Sequence, residues 1–198
     1  GTSKEHYLKE IKEIIKSATF SYVRQKEMLG LGHAILSGET LIGNEPFAVI
    51  LADDLCDNES NGVLSQMIKI YNNYKCSVIA IEEVPMTDVN KYGIISGNLI
   101  NNSKNIYQVT NMIEKPSPND SPSNMAIIGR YILTPDIFEI LKNIKPGQNG
   151  EIQITDALLV QAMNQKVIAF KFNGKRFDCG SVKGYLEANN YFAKKIGI

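Results

Sequence analysis

The stretch Phe47-Ala48-Val49-Ile50-Leu51-Ala52, followed by Gly62 to Lys75 and then by Ser77-Val78-Ile79-Ala80-Ile81, decides the fold of this chain. The outer two pieces are continuous apolar runs, the pattern of strands buried on both faces in the middle of a parallel sheet. The piece between them places Val63, Leu64, Met67, Ile68 and Tyr71 on one side of a helix. Strand, helix and strand in this order predict a right-handed βαβ crossover, and so an α/β fold. In open α/β sheets ligands bind beyond the carboxyl ends of the strands. Asp53 and Asp54 stand immediately past the first run and are the first candidate site residues.

Upstream of this unit, His6 to Ala18 carries Leu8, Ile11, Ile14 and Ile15 at helical spacing. Phe20 to Arg24 reads as a strand, and Gly30-Leu31-Gly32-His33 as a tight turn before a helix at Ala34 to Leu41. Downstream, Gly93–Gly97 and Asn105–Ile113 read as strands of a more antiparallel region. Lys115 to Asn124 holds three prolines and reads as a surface loop, followed by a strand at Met125–Leu133. Thr134-Pro135-Asp136 opens a helix, with Thr134 as cap and Pro135 at the first helical position. A helix from Thr155 with Leu158, Leu159 and Ala162 inward, a strand at Val167–Phe172, the strand-like Arg176 to Gly180 and a final helix from Lys183 complete the reading.

Composition narrows the function. The 198 residues are 43% hydrophobic, enough for a sizeable core. Lys plus Arg and Asp plus Glu both number 21, so the chain carries no global electrostatic footprint for nucleic acid or an anionic membrane. The run at Phe47 to Ala52 is far too short to span a bilayer, and Gly1 to Ile11 has no apolar signal-peptide region. Cys56, Cys76 and Cys179 are odd in number and form no CxxC pair, which argues against a disulfide framework or zinc site and for a reducing compartment.

Four groups could carry chemistry. Asp53 and Asp54 can hold Mg²⁺ against phosphate oxygens, or simply bond the backbone of a turn. Gly30-Leu31-Gly32-His33 could let an anion approach a helix start, or be only a turn. Glu114 beside Lys115 could grip a sugar hydroxyl and a phosphate, although an ordinary solvated pair has the same sequence. Asp178 could be a second metal ligand. Cys179 has neither His6 nor His33 near it in sequence and reads as a small packed residue.

Several motifs resemble one family. In order they are Arg24-Gln25, Gly30-Leu31-Gly32-His33-Ala34, Leu51-Ala52-Asp53-Asp54, Lys91-Tyr92-Gly93, Glu114-Lys115-Pro116, Pro122-Ser123-Asn124 with Gly129-Arg130-Tyr131, Glu151-Ile152-Gln153-Ile154-Thr155-Asp156-Ala157, and Asp178-Cys179-Gly180 with Lys183-Gly184-Tyr185. This order resembles the bacterial UTP–glucose-1-phosphate uridylyltransferases along essentially the whole chain. The sister family of glucose-1-phosphate thymidylyltransferases shares several pieces, but the Gly-Leu-Gly-His-Ala and Asp-Cys-Gly forms look more like the uridylyltransferase. The resemblance implies a Rossmann-like, three-layer nucleotidyltransferase (GT-A-like) fold with a mixed sheet, one domain over residues 1–198. It also implies an opening strand and a glycine-rich loop with Gly-Thr-Arg and Pro-Lys pieces, which no residues here match, so the chain looks like the later part of the family fold with exposed apolar surface.

The resemblance assigns roles. Gln25 and Gly30 would contact the uracil and its ribose. Asp53 and Asp178 would hold Mg²⁺, with Asp53, Lys115 and Asp178 as the catalytic set. Gly93, Glu114 and Gly129 would line the glucose pocket, Lys115 would neutralise the sugar phosphate, and Lys183 would reach a phosphate. Tyr92 would shape the pocket, with Asp54 and His33 as neighbours only. The implied reaction is direct displacement, with glucose 1-phosphate attacking UTP and pyrophosphate leaving. A homo-oligomer in the cytoplasm is expected, with Tyr185, Leu186, Ala188 and Phe192 of the last helix as an interface. Two other readings are a transferase using UDP-sugar and a non-catalytic sugar-phosphate-binding module.

Overall fold

The computed structural model describes residues 5–58, 61–100, 103–147 and 150–198. Its strands are β1 (Phe47–Ile50), β2 (Asp54–Asp57), β3 (Ser77–Glu83), β4 (Gly93–Leu99), β5 (Ile106–Glu114), β6 (Met125–Leu133), β7 (Val167–Lys171) and β8 (Lys175–Asp178). Six form one mixed sheet in the order β1-β6-β3-β7-β5-β4, and β2 pairs with β8 in a separate two-stranded ribbon. Only β3 and β7 pair in parallel, with Ser77 opposite Val167.

Strand alternation produces three layers. Successive side chains of β3 point to opposite faces. Ile79 and Ile81 enter a core with Ile35, Leu133, Leu141 and Leu158, beneath α2 (Gly30–Ser37), α5 (Asp136–Asn143) and α6 (Ile154–Met163). Val78 and Ala80 enter a second core with Val63, Met67 and Ile70 of α4 (Val63–Tyr74) on the opposite face. Each buried Val, Leu, Ile or Met side chain among these contributes about 1.5–3 kcal/mol through loss of water contact.

The βαβ reading needs correction in one respect. β1 and β3 run in the same direction and α4 joins them, but β6 lies between them, antiparallel to both. Among the described residues β1 has one strand neighbour, β6, and its burial alternates. Ile50 is 56% exposed. An apolar run alone does not report which strand will insert beside it.

Other local expectations also change. Residues 18–29 form neither helix nor strand, and Tyr22 is 91% exposed. Among the described residues Phe20 to Arg24 finds no strand to pair with, and an unpaired strand has no hydrogen-bond ladder. The glycine pair Gly30 and Gly32 lies inside the first turn of α2, and the chain continues through a short helix, α3 (Glu39–Ile42). Thr134 does not cap α5, because its hydroxyl is engaged with Ser77 and Gln161. Ile68 of α4 faces outward, as do Leu8, Ile11, Ile14 and Ile15 of α1 (Glu5–Ser17). In the final helix, α7 (Val182–Ile196), Ala188 is buried while Tyr185 and Leu186 are exposed.

One edge of β6 is divided between two strands. Its end, Arg130–Leu133, pairs with β1, and its start, Met125–Ala126, pairs with β4. Ile127, Ile128 and Gly129 are left between them, and this gap opens the site described next.

Candidate active site

A cavity of about 440 Å³ fills the gap along β6. It brings together Gly30, Asp53, Gly93, Glu114, Lys115, Gly129 and Asp178 of the expected site set, with the expected neighbours Asp54 and Tyr92. They come from segments far apart in the chain. Gln25 and Lys183 are not among its lining residues.

Asp53 sits in the turn between β1 and β2, and Asp178 ends β8. The backbone amide of Cys179 donates to the Asp53 carbonyl at 2.7 Å, holding the turn against the end of β8. The two carboxylates converge over Gly180. A β-carbon there would lie 3.0 Å from Asp53 Oδ2 and 3.2 Å from Asp178 Oδ1. Glycine thus keeps clear a point faced by two anionic oxygens. Two hard oxygens aimed at one point suit a small divalent cation that takes its remaining ligands from water and phosphate. Among the described residues no cluster of three or more His, Cys, Asp or Glu side chains is placed to hold a metal ion.

Ser181 ties this end of β8 to α7. Its hydroxyl donates to the Asp178 carbonyl at 3.2 Å and accepts the Gly184 amide at 3.0 Å, capping the helix. Gly184 packs so closely on the Asp178 carbonyl that no β-carbon fits there.

Glu114 and Lys115 line the same cavity although they are neighbours in sequence. Consecutive strand residues should face opposite ways. Lys115 breaks the alternation by adopting the left-handed conformation, φ 46°. Its ammonium lies 3.8 Å from Glu114 Oε1. Glu114 Oε2 accepts the Thr155 hydroxyl at 2.5 Å, which joins β5 to the first turn of α6. Gly93 is the register partner of Glu114, and a β-carbon on it would meet Thr155 Oγ1 at 2.9 Å. Gly129 is similarly confined: a β-carbon would come within 2.7 Å of Leu51 Cβ and 2.8 Å of Asp54.

The glycines of α2 have a structural reason. Gly30, at φ 89°, and Gly32 both pack on the backbone at Ile152. The Gly32 amide donates to the Ile152 carbonyl at 2.9 Å, and the Ile152 amide to that of Leu29 at 2.8 Å. Gln25 donates to the Gly30 carbonyl at 3.2 Å and lies 2.9 Å from His33 Nδ1, bracing this turn from behind. Lys183, with a side chain 86% exposed, faces Glu187 at 3.9 Å.

Sequence reasoning named Asp54 and Tyr92 only as neighbours of the site and missed Arg176 and Glu82, which join them in a charged hub. Asp54 is buried, and its carboxylate accepts from both Arg176 Nε and the Gly129 amide. Arg176 also reaches Glu82 at 3.4 Å, Asp178 at 3.4 Å and the Tyr92 hydroxyl at 3.4 Å. Burial disfavours the guanidinium charge, but hydrogen bonds to Asp54 and Tyr92 outweigh it and hold Arg176 above its usual range. Burial raises the Glu82 carboxyl, with Arg176 opposing. The alternation Arg176-Phe177-Asp178 was the available signal, since residues two apart share a strand face.

The chain is similar to known proteins along nearly its whole length. It matches the nucleotidyl transferase family over residues 2–195. A UTP–glucose-1-phosphate uridylyltransferase of Pseudomonas aeruginosa is 59% identical over 192 residues, which is 96% of this chain and 68% of that protein. A crystal structure of UDP-glucose pyrophosphorylase complexed with UDP-glucose superposes with a TM-score of 0.94 at 59% identity, covering 98% of this chain and 74% of the other. A UTP-bound enzyme of the same kind from Acinetobacter baumannii gives 0.83 at 36% identity, covering 97% and 66%. With the matched segment running through every strand of the sheet and every wall of the cavity, this chain belongs to the nucleotidyl transferase family.

Proposed function

We propose that this protein is a UTP–glucose-1-phosphate uridylyltransferase, making UDP-glucose and pyrophosphate. The observation that carries the reading is the joint presence, in one cavity, of the paired carboxylates Asp53 and Asp178 and the adjacent pair Glu114 and Lys115. The names and bound ligands of the relatives support it.

In the displacement, a phosphate oxygen of glucose 1-phosphate forms a bond to the α-phosphorus of UTP. The bond from that phosphorus to the bridging oxygen breaks, and pyrophosphate leaves with the electron pair. Lys115 places its ammonium on the sugar phosphate, reducing repulsion between the two anions as they approach. Glu114, oriented by Thr155, accepts from sugar hydroxyls. Gly93 and Gly129 line the same cavity and let Thr155, Glu114, Leu51 and Asp54 close in around the sugar's place. Asp53 and Asp178 would hold Mg²⁺, which would supply positive charge against the phosphates. No protein nucleophile is required, and positioning supplies most of the acceleration. Gly30 sits where the base and ribose would meet the start of α2, with Gln25 bracing it.

The cytoplasm, where both substrates are made, is the proposed setting. Among the described residues no helix is long and apolar enough to cross a membrane. Exposed Tyr185 and Leu186 on α7 support a homo-oligomer.

The test is pyrophosphate release by the purified protein with glucose 1-phosphate, Mg²⁺ and either UTP or dTTP. Release that needs both substrates and prefers UTP is expected. Release with UTP but without the sugar phosphate, or none under any condition, overturns the reading.

A further inference from the structure

The cation-facing geometry of Asp178 is built by two residues outside the expected site set. The β2–β8 ribbon places Asp54 directly opposite Asp178, and Arg176 opposite Cys56. Cross-strand partners are close enough that like charges facing each other repel. Arg176, two residues before Asp178 and on the same face, is the cation that makes this pairing tolerable. Its Nε is bonded to Asp54 while its second terminal nitrogen lies 3.4 Å from Asp178 Oδ2.

Tyr92 adds a second point. Its hydroxyl donates to the same oxygen, Asp178 Oδ2, at 3.1 Å. Its ring stacks 5.2 Å from the Arg176 guanidinium carbon, which fixes both side chains. One oxygen of Asp178 is thus held from behind by Tyr92 and Arg176. The other, Oδ1, accepts the Gly180 amide at 3.2 Å and faces the point shared with Asp53.

We propose that Tyr92 and Arg176 form a two-point clamp that orients the Asp178 carboxylate toward Asp53 and so sets the affinity of the cation-holding pair. Both are positioning residues. The proposal rests on the reading of Asp53 and Asp178 given above. Arginine suits position 176 because its rigid planar fork spreads donors over Asp54, Asp178, Glu82 and the Tyr92 hydroxyl, a span that a single ammonium point does not cover.

Mn²⁺ binding to the purified protein in the presence of UDP-glucose tests this, followed by electron paramagnetic resonance, for the parent, Tyr92→Phe and Arg176→Lys. Groups that orient metal ligands typically change metal affinity by about 10–100-fold when lost. Tyr92→Phe keeps the ring and removes only the hydroxyl, so a Kd for Mn²⁺ raised about tenfold is expected with an unchanged melting temperature. Arg176→Lys is expected to weaken Mn²⁺ further and to raise the Mg²⁺ concentration for half-maximal turnover in parallel. If Arg176→Lys does not fold, Tyr92→Phe decides alone. Unchanged Mn²⁺ affinity in Tyr92→Phe, with a parent that binds the ion, refutes the clamp and leaves the cation site standing. A parent that binds no Mn²⁺ refutes both.

Discussion

Lys115 reaches the cavity beside Glu114 only because its backbone is left-handed, at φ 46°, immediately before Pro116. A side chain in this conformation costs on the order of 1–3 kcal/mol, and glycine escapes most of that cost. Lys115→Gly and Lys115→Ala should both lose turnover by roughly a hundredfold or more, since both lose the ammonium. They should differ in stability. The glycine variant is expected to melt higher than the alanine variant by about 2–4 °C, the equivalent of about 1 kcal/mol in a chain of this size. Equal melting temperatures by calorimetry would show that the turn is not strained.

Thr155 controls one oxygen of Glu114 through its 2.5 Å hydrogen bond. Thr155→Val keeps the shape and removes the donor. A hydrogen bond to a charged group contributes about 1.5–3 kcal/mol, so KM for glucose 1-phosphate should rise roughly tenfold or more. KM for UTP should move little. Steady-state kinetics with each substrate varied in turn separates the two; a matching rise in both would remove Thr155 from the sugar side.

Gly184→Ala forces a methyl group against the Asp178 carbonyl, and Gly129→Ala one against Leu51 and Asp54. Overpacking of this kind costs about 1–3 kcal/mol. Both variants should melt lower, and Gly184→Ala should in addition weaken Mg²⁺ activation because it displaces the segment carrying Asp178. Full Mg²⁺ affinity in a destabilised Gly184→Ala protein would separate the helix contact from the cation site.

Gln161 provides the contrast. It is 1% exposed and bonded to Ser77 at 2.8 Å, Thr134 at 3.0 Å and Asp136 at 3.1 Å, and it does not line the cavity. Gln161→Leu leaves buried polar partners short of bonds, at a cost of about 1–3 kcal/mol. Denaturant midpoints should fall while kcat and both KM values of the folded fraction stay near the parent values. A selective change in KM would mean that α6 transmits strain to Thr155.

Cys56 and Cys76 are each pushed up to about 11 from 9.0, by burial in both cases; around Cys56, Arg130 opposes and Asp54 reinforces it. The folded protein therefore binds these protons more tightly than the unfolded chain between those values. The stability they contribute is fully present below the unfolded value and is lost as pH rises through about 11. At pH 8 the folded thiols carry roughly a hundredfold less thiolate than unfolded ones. Iodoacetamide should label both slowly in buffer and rapidly in urea, read by mass spectrometry. Equal rates would mean that the partial burial of these thiols does not protect them.

The α/β class, most element positions and the cavity's main polar residues are legible in local patterns along the chain. Asp53 past a strand, Glu114-Lys115 at a strand end and Asp178 before a glycine were legible because each is a local pattern of residue type and hydropathy. Tertiary structure alone decided that β6 inserts between β1 and β3, since strand pairing is a contest among distant segments that no local pattern records. It also places the two neighbouring carboxylates in different surroundings. Asp53 and Asp54 are adjacent and chemically alike, yet only Asp53 faces the point over Gly180, while Asp54 is turned into the protein and neutralised by Arg176. That division depends on a register, Asp54 opposite Asp178, set by two strands more than a hundred residues apart.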